Sequence, residues 1–360
     1  RVTHRVPGKA LFLIVTHTMA ISIDRKKSQK RNARKDNRDL MMSKKIAVVI
    51  PAYKVTKHVL NVIARIGHEI NRIYVVDDCC PENSGQFVQQ NNTDDRVVVL
   101  YNEMNKGVGG ATKRGYEEAI KDDMDIVIKV DGDGQMNPAL IPMFIKPILD
   151  GRADYTKGNR FFSYDHVSSM PKIRLFGNAV LTFMTKASSG YWNIYDPNNG
   201  FTAIHRRALS MLPLEKINNR YFFESDMLFR LNSIRAVVLD VPMVAVYEDE
   251  ESGLKINEIF LQFLKGHITN FGKRICYNYL LRDFNMASLE LLFSTVLLLF
   301  GLVYGGIHWA QSVVTQNPAA GGVVMLAGLS VIVGVQLFLS VFNYDVQNTP
   351  RIPLSVFDDV

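Results

Sequence analysis

The residues best suited to chemistry stand in one short loop, Asp131-Gly-Asp133-Gly-Gln135, directly after the apolar run 126–130. Two carboxylates separated by one glycine, with a side-chain amide two residues further on, can converge on one hard divalent cation. Such a cation can hold a diphosphate group. An EF-hand is excluded because its twelfth loop position would be Pro142 instead of glutamate. The pattern therefore indicates a cation site, with an Asp/Gly-rich turn as the structural alternative.

Strands and helices that could position this loop alternate between residues 46 and 130. Strands are predicted at 46–50, 72–78, 96–101 and 126–130, and helices at 55–70, 82–91 and 111–121. Further predicted elements are a strand entering a loop at 154–160, a helix at 171–188, a strand at 201–204, a helix at 221–231 and a strand pair at 236–246. The alternation predicts an α/β fold with a parallel sheet and right-handed crossovers. Parallel strands place working groups at their carboxyl ends, so Asp77, Asp78 and the Asp131 loop are expected at one edge.

The net charge of +7 comes from one end of the chain. Residues 1–45 hold 13 Lys/Arg and 3 Asp/Glu, which leaves 29 basic and 32 acidic residues for 46–360. The body is therefore not a basic nucleic-acid binder. Three cysteines form neither a disulfide framework nor a zinc site, which indicates a reducing compartment. We interpret 1–43 as a disordered or non-native extension and expect the functional protein to begin near Met42.

The C-terminal third of the chain has the composition of a membrane protein. Residues 251–285 form a predicted amphipathic interfacial region, with Lys and Arg among Phe, Leu and Tyr from 256 to 284. Two apolar stretches within 286–342, namely 286–309 and 319–342, are long enough to span a bilayer. Basic residues precede the first span and none lies between the two, so the body and the tail 343–360 are expected in the cytoplasm. A buried helical hairpin in a soluble protein is the alternative.

Six short motifs occur in an order that resembles a known enzyme family. They are Val48-Val-Ile-Pro-Ala-Tyr53, Tyr74-Val-Val-Asp-Asp78, Asn105-Lys-Gly-Val-Gly-Gly-Ala111, Asp131-Gly-Asp-Gly-Gln135, Lys157-Gly-Asn-Arg160 and Asn198-Asn-Gly-Phe201. Each motif is weak alone, but together they resemble GT-A glycosyltransferases of family 2, and more narrowly the polyprenyl-phosphate (dolichol-phosphate) sugar synthases. Cys79-Cys80 departs from the small residues, such as Gly-Ser, that are usual there. The resemblance implies a Rossmann-like GT-A catalytic domain at 44–250.

The resemblance also implies where the nucleotide-sugar donor binds. The base and ribose are expected against a set of residues at the ends of the first strands: Pro51, Ala52, Tyr53, Asp77, Asp78, Lys106 and Gly107. Asp131 would contact the donor as well, and Asp131, Asp133 and Gln135 would hold Mg²⁺ or Mn²⁺, since hard oxygen ligands suit these ions. The cation would neutralise charge on the departing diphosphate, which makes Asp133 a candidate catalytic residue.

The expected acceptor is a lipid phosphate, which is already anionic and needs cationic positioning instead of a general base. Arg160, Arg174 and Asn178 match the spacing at which the family places two arginines and a serine around that phosphate, and asparagine keeps a donor there. Arginine grips phosphate in a fork, so Arg160 and Arg174 are candidate catalytic residues. Glu224 and Asp226, where other family members carry a base, are expected to contact the sugar or an arginine. A single in-line displacement predicts inversion.

Alternative functions remain open at the level of the sequence. The first is a family-2 transferase that uses a glycan hydroxyl in cell-surface polysaccharide synthesis. The second is an NAD(P)-linked oxidoreductase, because Gly107-Val-Gly109 follows a strand and opens a helix. A non-catalytic membrane scaffold is the third. The preferred interpretation is a hexosyltransferase of the GDP-mannose or UDP-glucose type, integral to a bacterial inner membrane, without nucleic-acid partners and with self-association left open.

Overall fold

The computed structural model describes residues 43–162, 172–243 and 256–357, without the side chains of 172–174 and 256–259. Of the predicted extension 1–43, all but Ser43 lies outside the described residues. The part of the final strand pair beyond Met243 lies outside them as well.

Seven strands form one mixed sheet in the order β3-β2-β1-β4-β6-β5-β7. The strands are β1 (Ile46–Ala52), β2 (Arg72–Asp77), β3 (Val97–Tyr101), β4 (Ile126–Lys129), β5 (Tyr155–Asn159), β6 (Thr202–His205) and β7 (Val238–Pro242). β1 pairs in parallel with β2 and β4, β2 with β3, and β5 with β7, whereas β6 runs antiparallel to its neighbours β4 and β5. The predicted α/β fold with a mostly parallel sheet is confirmed.

Ten α-helices lie in the described residues. They are α1 (Val59–Ala64), α2 (Ser84–Asn91), α3 (Val108–Lys121), α4 (Ile141–Leu149), α5 (Lys172–Ser189), α6 (Arg206–Met211), α7 (Phe223–Ser233), α8 (Ile256–Ile275), α9 (Met286–Thr315) and α10 (Gly321–Gln347). The predicted interfacial helix 256–284 is divided in the structure, because α8 continues as a π-helix at Cys276–Arg282.

Both faces of the sheet are covered, which explains the continuous apolar runs of the central strands. Alternate residues of β1 enter different cores, so that Val48 and Ile50 face one side and Ala47 and Val49 the other. The first core is completed from α1, α2 and α4, and the second from α3, α6 and α7. Packing on both faces holds the strands in place, and it thereby positions the loops that follow their ends.

α1 is much shorter than the predicted helix 55–70, and a distant arginine is the reason. Arg96 donates to the carbonyl oxygens of Gly67 at 2.5 Å, of Ile70 at 3.2 Å and of Ile66 at 3.3 Å. The guanidinium takes up carbonyls that a continuing helix would pair with N–H groups four residues further on, which is consistent with the early end of α1. The local periodicity could not reveal a partner about 30 positions away.

α9 and α10 are two apolar helices that coincide with the two predicted membrane spans. They contain 30 and 27 residues, enough to cross a bilayer. Only 22% and 11% of their most apolar segments are buried, so they are not core helices of a soluble domain. Their contact is close where glycine faces the partner helix, since a Cβ on Gly301 would lie 2.9 Å from the carbonyl oxygen of Ala327.

The end of the hairpin returns to the catalytic domain. The backbone N–H groups of Leu354 and Ser355 donate to Oδ1 of Asp154, at 2.8 and 3.3 Å, beside the start of β5. Asn285, which caps α9, donates to the hydroxyl of Tyr344 near the end of α10. Both open ends of the hairpin therefore lie on the side of the catalytic domain.

Candidate active site

One edge of the sheet gathers the chemistry-bearing loops. Parallel pairing places Ala52 beside Asp77, and antiparallel pairing places Thr202, at the start of β6, beside Lys129 at the end of β4. Asn159 at the end of β5 pairs with Pro242 at the end of β7 on the same edge. Four parts of the predicted site adjoin these strand ends: the Asp131 loop, the Asp77-Asp78 loop, the 198–201 segment and Arg160.

A buried lysine, which the sequence analysis did not single out, occupies the centre of this edge. Nζ of Lys129 lies 2.7 Å from Oδ1 of Asp131 and 3.5 Å from Oε1 of Glu224, and it donates to the carbonyl oxygen of Gly200 at 3.3 Å. Burial alone would lower the pKa of Lys129, but the two carboxylates outweigh it and raise the pKa above its usual value. The ammonium group is therefore charged and orients Asp131. A lysine inside an apolar strand, two residues before an aspartate, was the available signal.

The predicted metal loop is half-exposed at Asp131, Asp133 and Gln135. Oδ1 of Asp133 accepts from the backbone N–H of Gln135 at 3.0 Å, and Gly134 takes a φ of +84° that favours glycine. Within the described part of the chain, no group of three or more His, Cys, Asp or Glu side chains is arranged to hold a metal. Two carboxylates nevertheless fit Mg²⁺ or Mn²⁺, because Mg²⁺ in particular keeps several waters and takes further oxygens from phosphate.

Asp77 and Asp78 organise the predicted donor loops through backbone hydrogen bonds. Asp77 accepts from the N–H groups of Cys80 at 2.7 Å and Gly85 at 2.6 Å. Asp78 accepts from the N–H groups of Lys106 at 2.9 Å and Gly107 at 2.6 Å, and a further bond comes from Nδ2 of Asn102. Both carboxylates are buried, so they act first as loop caps, the structural role expected of such residues. Their contact with a donor remains a prediction.

Cys79 and Cys80, which replace the small residues usual in the family, fit the backbone of the predicted donor loop. Cys79 is exposed and has a φ of +53°, the conformation for which glycine is favoured. Cys80 is buried, and its Sγ accepts from the N–H of Lys54 at 3.0 Å and lies 3.2 Å from Oγ of Ser84. A sulfur atom thus takes the accepting position that a hydroxyl could fill. Pro51, Ala52 and Tyr53 line the adjacent strand end, with Tyr53 the most exposed of the three.

Arg160 forms a bidentate ion pair with Asp196, another residue that the sequence analysis did not name as functional. Nε and Nη2 of Arg160 lie 2.7 and 3.0 Å from the two carboxylate oxygens of Asp196. Asp196 begins the segment 196–200, whose last residue accepts a hydrogen bond from Lys129 and has no room for a Cβ beside Asp131. The arginine and the aspartate loop are therefore joined by four peptide units and share one edge of the sheet.

The buried Lys157 and the half-buried Asp240 support the same segment. Nζ of Lys157 donates to the carbonyl oxygen of Asn199, and desolvation lowers the pKa of Lys157 to about 8. Burial raises the pKa of Asp240 to about 6, although its carboxylate accepts from the N–H of Tyr195 at 2.8 Å. These contacts fix the segment from both ends, and they leave its residues well placed to position groups in the adjacent crevice.

Glu224 and Asp226 face different surroundings although they are two residues apart. Glu224 joins the Lys129 cluster. Asp226 accepts from the N–H of Asn218 at 2.8 Å and from Nδ2 of Asn270 at 2.9 Å, which ties α7 to α8. Successive helical positions rotate by about 100°, so residues two apart point to nearly opposite faces. Only Glu224 lies in the candidate active site.

The remaining predicted acceptor residues lie on α5. Its backbone carries Arg174 in the first turn and the half-buried Asn178 one turn later. The side chain of Arg174 lies outside the described part of the structure, as does most of the connection from Arg160 to α5. The arrangement of these three residues around a phosphate therefore remains a prediction.

Replacing Gly200 by alanine is expected to lower turnover about tenfold, because small displacements of reacting groups are costly. A Cβ at this position would lie 2.6 Å from Oδ2 of Asp131 and 2.7 Å from Nζ of Lys129. Gly272→Ala in α8 is the control, because its Cβ meets no heavy atom within 4 Å. Steady-state transfer rates of both variants check this, and equal rates would contradict the close approach.

Comparison with known proteins identifies the class of this enzyme. Residues 47–212 match the family model described as glycosyl transferase family 2. A UDP-N-acetylglucosamine–dolichyl-phosphate N-acetylglucosaminyltransferase of Methanococcus voltae is 30% identical over 223 residues, covering 58% of this chain and 88% of that protein. A polyprenol monophosphomannose synthase of Mycolicibacterium smegmatis is 22% identical over 231 residues, covering 63% and 86%. The protein is a glycosyltransferase.

More narrowly, the chain belongs to glycosyltransferase family 2, and its relatives include dolichyl- and polyprenyl-phosphate glycosyltransferases. Among solved structures, glucosyl-3-phosphoglycerate synthase from Mycobacterium tuberculosis in complex with UDP is similar at a TM-score of 0.49 and 18% identity. The match covers 65% of this chain and 82% of that one.

Proposed function

We propose that the protein transfers a hexose from a nucleotide-sugar, of the GDP-mannose or UDP-glucose type, to a polyprenyl phosphate, with inversion at the anomeric carbon. The observation that carries this proposal is the shared sheet edge, where segment 196–200 joins the Arg160–Asp196 pair to the cluster of Lys129 and Asp131. The names of the relatives from Methanococcus voltae and Mycolicibacterium smegmatis, which include dolichyl phosphate and polyprenol, support the choice of acceptor.

On the donor side, Asp131, Asp133 and Gln135 would hold Mg²⁺ or Mn²⁺. The cation would supply positive charge to the diphosphate leaving group. Lys129 orients Asp131, and Asp78 fixes the turn at Lys106 and Gly107 that would border the nucleotide. A preorganised set of charges of this kind stabilises developing charge without reorganising during the reaction.

On the acceptor side, the phosphate oxygen is itself the nucleophile. Arg160 enters the site with its guanidinium already oriented by Asp196, so less side-chain entropy is lost when it grips a phosphate. We propose that Arg174 and Asn178 complete the grip from α5. The new bond forms between the phosphate oxygen and the anomeric carbon as the bond to the nucleoside diphosphate breaks.

The charged groups on α7 favour a phosphate acceptor over a hydroxyl acceptor. A hydroxyl would need a carboxylate base within reach, whereas Glu224 is paired with Lys129 and Asp226 is engaged by Asn218 and Asn270. A lipid phosphate needs no base. The cytoplasmic orientation that we propose for this edge follows from the basic residues before α9.

A transfer assay with the full-length protein in membranes tests the proposal. Undecaprenyl phosphate and Mn²⁺ would be supplied with labelled GDP-mannose, UDP-glucose or UDP-N-acetylglucosamine, one at a time. We expect label in an organic-extractable, mild-acid-labile product with one of these donors. Label in a water-soluble glycan would contradict the acceptor, and NAD binding without any transfer would contradict the reaction class.

Removing divalent cations is expected to reduce that transfer by about a hundredfold, the loss typical of removing one electrostatic stabiliser of the leaving charge. The measurement is the initial rate in EDTA, followed by titration with Mn²⁺ or Mg²⁺. Recovery with either ion would support the two-carboxylate site, and Ca²⁺ in their place serves as the comparison. A rate unchanged by EDTA would contradict a role for the Asp131 loop in holding a cation.

A further inference from the structure

Three arginines surround the end of the helical hairpin that faces the catalytic domain. Arg282 ends the π-helix four residues before α9 begins, and Arg351 stands four residues after α10 ends. Arg235 follows α7 and donates to the carbonyl oxygen and to Oδ1 of Asn348, at 2.9 and 3.1 Å. These three arginines, from separate parts of the chain, therefore meet where two apolar helices enter and leave the membrane.

A cavity of about 370 Å³ opens between two of these arginines. Its lining consists of Arg235, Gln347, Asn348, Thr349, Pro350, Arg351 and Ile352. The two guanidinium groups are its charged members, and amide and hydroxyl side chains supply further hydrogen-bond donors. The exposed Ile352 adds an apolar surface at the same place. A cavity with this lining suits an anionic head group attached to an apolar tail.

Among the described residues, the arginines around this cavity have no carboxylate partner. Within the described residues, no carboxylate lies within 4.0 Å of the guanidinium nitrogens of Arg235, Arg282 or Arg351. The carbonyl end of a helix carries about half a negative charge, which offsets only a part of three positive charges. Burial, together with the charge of Arg282, lowers the pKa of Arg235, so an anion between these groups would relieve an existing repulsion.

We infer that this cavity binds the phosphate of an anionic membrane lipid. The inference rests on α9 and α10 crossing a bilayer, and it is independent of which sugar the enzyme transfers. Basic pockets beside membrane-spanning helices are known to hold lipid phosphates. Arg235 precedes the start of β7, whereas Arg160 lies beyond Asn159, which pairs with Pro242 at the opposite end of that strand. The lipid site is therefore separate from the acceptor site.

Lipid retention by the full-length protein tests this inference. The protein would be reconstituted in phosphatidylcholine vesicles with or without phosphatidylglycerol, extracted in mild detergent, and examined for bound lipid by native mass spectrometry. We expect wild type to retain phosphatidylglycerol and Arg351→Gln to retain about tenfold less, the effect of losing one charge-assisted bond, with the double variant Arg235→Gln/Arg351→Gln retaining less than the single variant. Arg72→Gln is the control, because Arg72 is exposed at the start of β2.

Several outcomes would overturn the inference. Equal retention of phosphatidylglycerol by wild type and Arg351→Gln would do so, and because Arg351 is exposed this single variant avoids loss of folding. Inorganic phosphate that displaces the lipid at low millimolar concentration would assign the cavity to a free anion instead. Sugar transfer to undecaprenyl phosphate in pure phosphatidylcholine is measured on the same samples, so failure of the proposed reaction is recognised separately.

Discussion

Lys129→Met is expected to reduce sugar transfer by about a thousandfold, the upper part of the range for losing a preorganised electrostatic group. The ammonium group of Lys129 lies between the carboxylates of Asp131 and Glu224, at 2.7 and 3.5 Å. Methionine has a similar length but no charge, so two carboxylates would face each other without a cation. The measurement is kcat/KM for the nucleotide-sugar at saturating lipid phosphate.

The same substitution is expected to lower the free energy of unfolding by about 3–5 kcal/mol, because it leaves partners of a buried ion pair uncompensated. Lys113→Met is the matched control. Lys113 is also buried, but its Nζ donates at 2.7 Å to the carbonyl oxygen of Ile217. We therefore expect that control to lose stability with little change in kcat/KM.

A double-mutant cycle separates a specific interaction from general damage. Glu224→Gln removes one of the two carboxylates that would be left unpaired, so Lys129→Met/Glu224→Gln should be more stable than Lys129→Met alone. Thermal unfolding in detergent measures this coupling. The positioning role of Lys129 is wrong if Lys129→Met keeps kcat/KM within about twofold of wild type and no lower than kcat/KM of Lys113→Met.

The central strands and their loops could be predicted because their determinants are local. The strands β1, β2 and β4 lie in short, mostly apolar runs that lead into proline or aspartate, and their central residues are buried. Parallel pairing then places their carboxyl ends together. The location of the Asp77-Asp78 and Asp131 loops at one edge follows from these few rules.

The partners of the site residues could not be predicted because they are distant in the sequence. Arg160 meets Asp196 across 36 positions, and Lys129 meets Glu224 across 95. The order β4-β6-β5-β7 depends on the antiparallel course of β6, which a run of four residues does not encode. Motif spacing therefore predicts which residues act at the site, whereas only the fold shows which groups orient them.

Asp345→Asn is expected to destabilise the protein by about 3–5 kcal/mol, because it discharges one partner of a buried ion pair. Asp345 lies near the end of α10, and its carboxylate accepts from Nη1 and Nη2 of Arg274 at 2.5 and 3.0 Å. It also accepts from the hydroxyl of Tyr279 at 2.6 Å and from Nε1 of Trp192 at 2.7 Å. One side chain thus joins the hairpin, α8, the π-helix and the catalytic domain.

An exposed ion pair of the same chemistry provides the control. Nη2 of Arg206 lies 2.5 Å from Oδ1 of Asp123, but these side chains are 42% and 61% exposed, whereas those of Arg274 and Asp345 are 2% and 6% exposed. Exposed pairs contribute about 0–1 kcal/mol, so Asp123→Asn should change the melting temperature little. Similar melting temperatures for Asp123→Asn and Asp345→Asn would contradict the central role of the buried pair.

Asp345→Asn should also weaken binding of the lipid phosphate acceptor more than binding of the nucleotide-sugar donor. Nη2 of Arg274 donates to the carbonyl oxygen of Ala187 at 2.7 Å, which fixes the last turn of α5, the helix that carries Arg174 and Asn178. Loosening that turn would displace the residues proposed to bind the acceptor, whereas Asp131 and Asp78 are held by contacts on the sheet edge. We therefore expect KM for the lipid phosphate to rise in Asp345→Asn while KM for the nucleotide-sugar stays near that of wild type. A rise in both constants by the same factor would mean that the hairpin stabilises the whole domain without orienting α5.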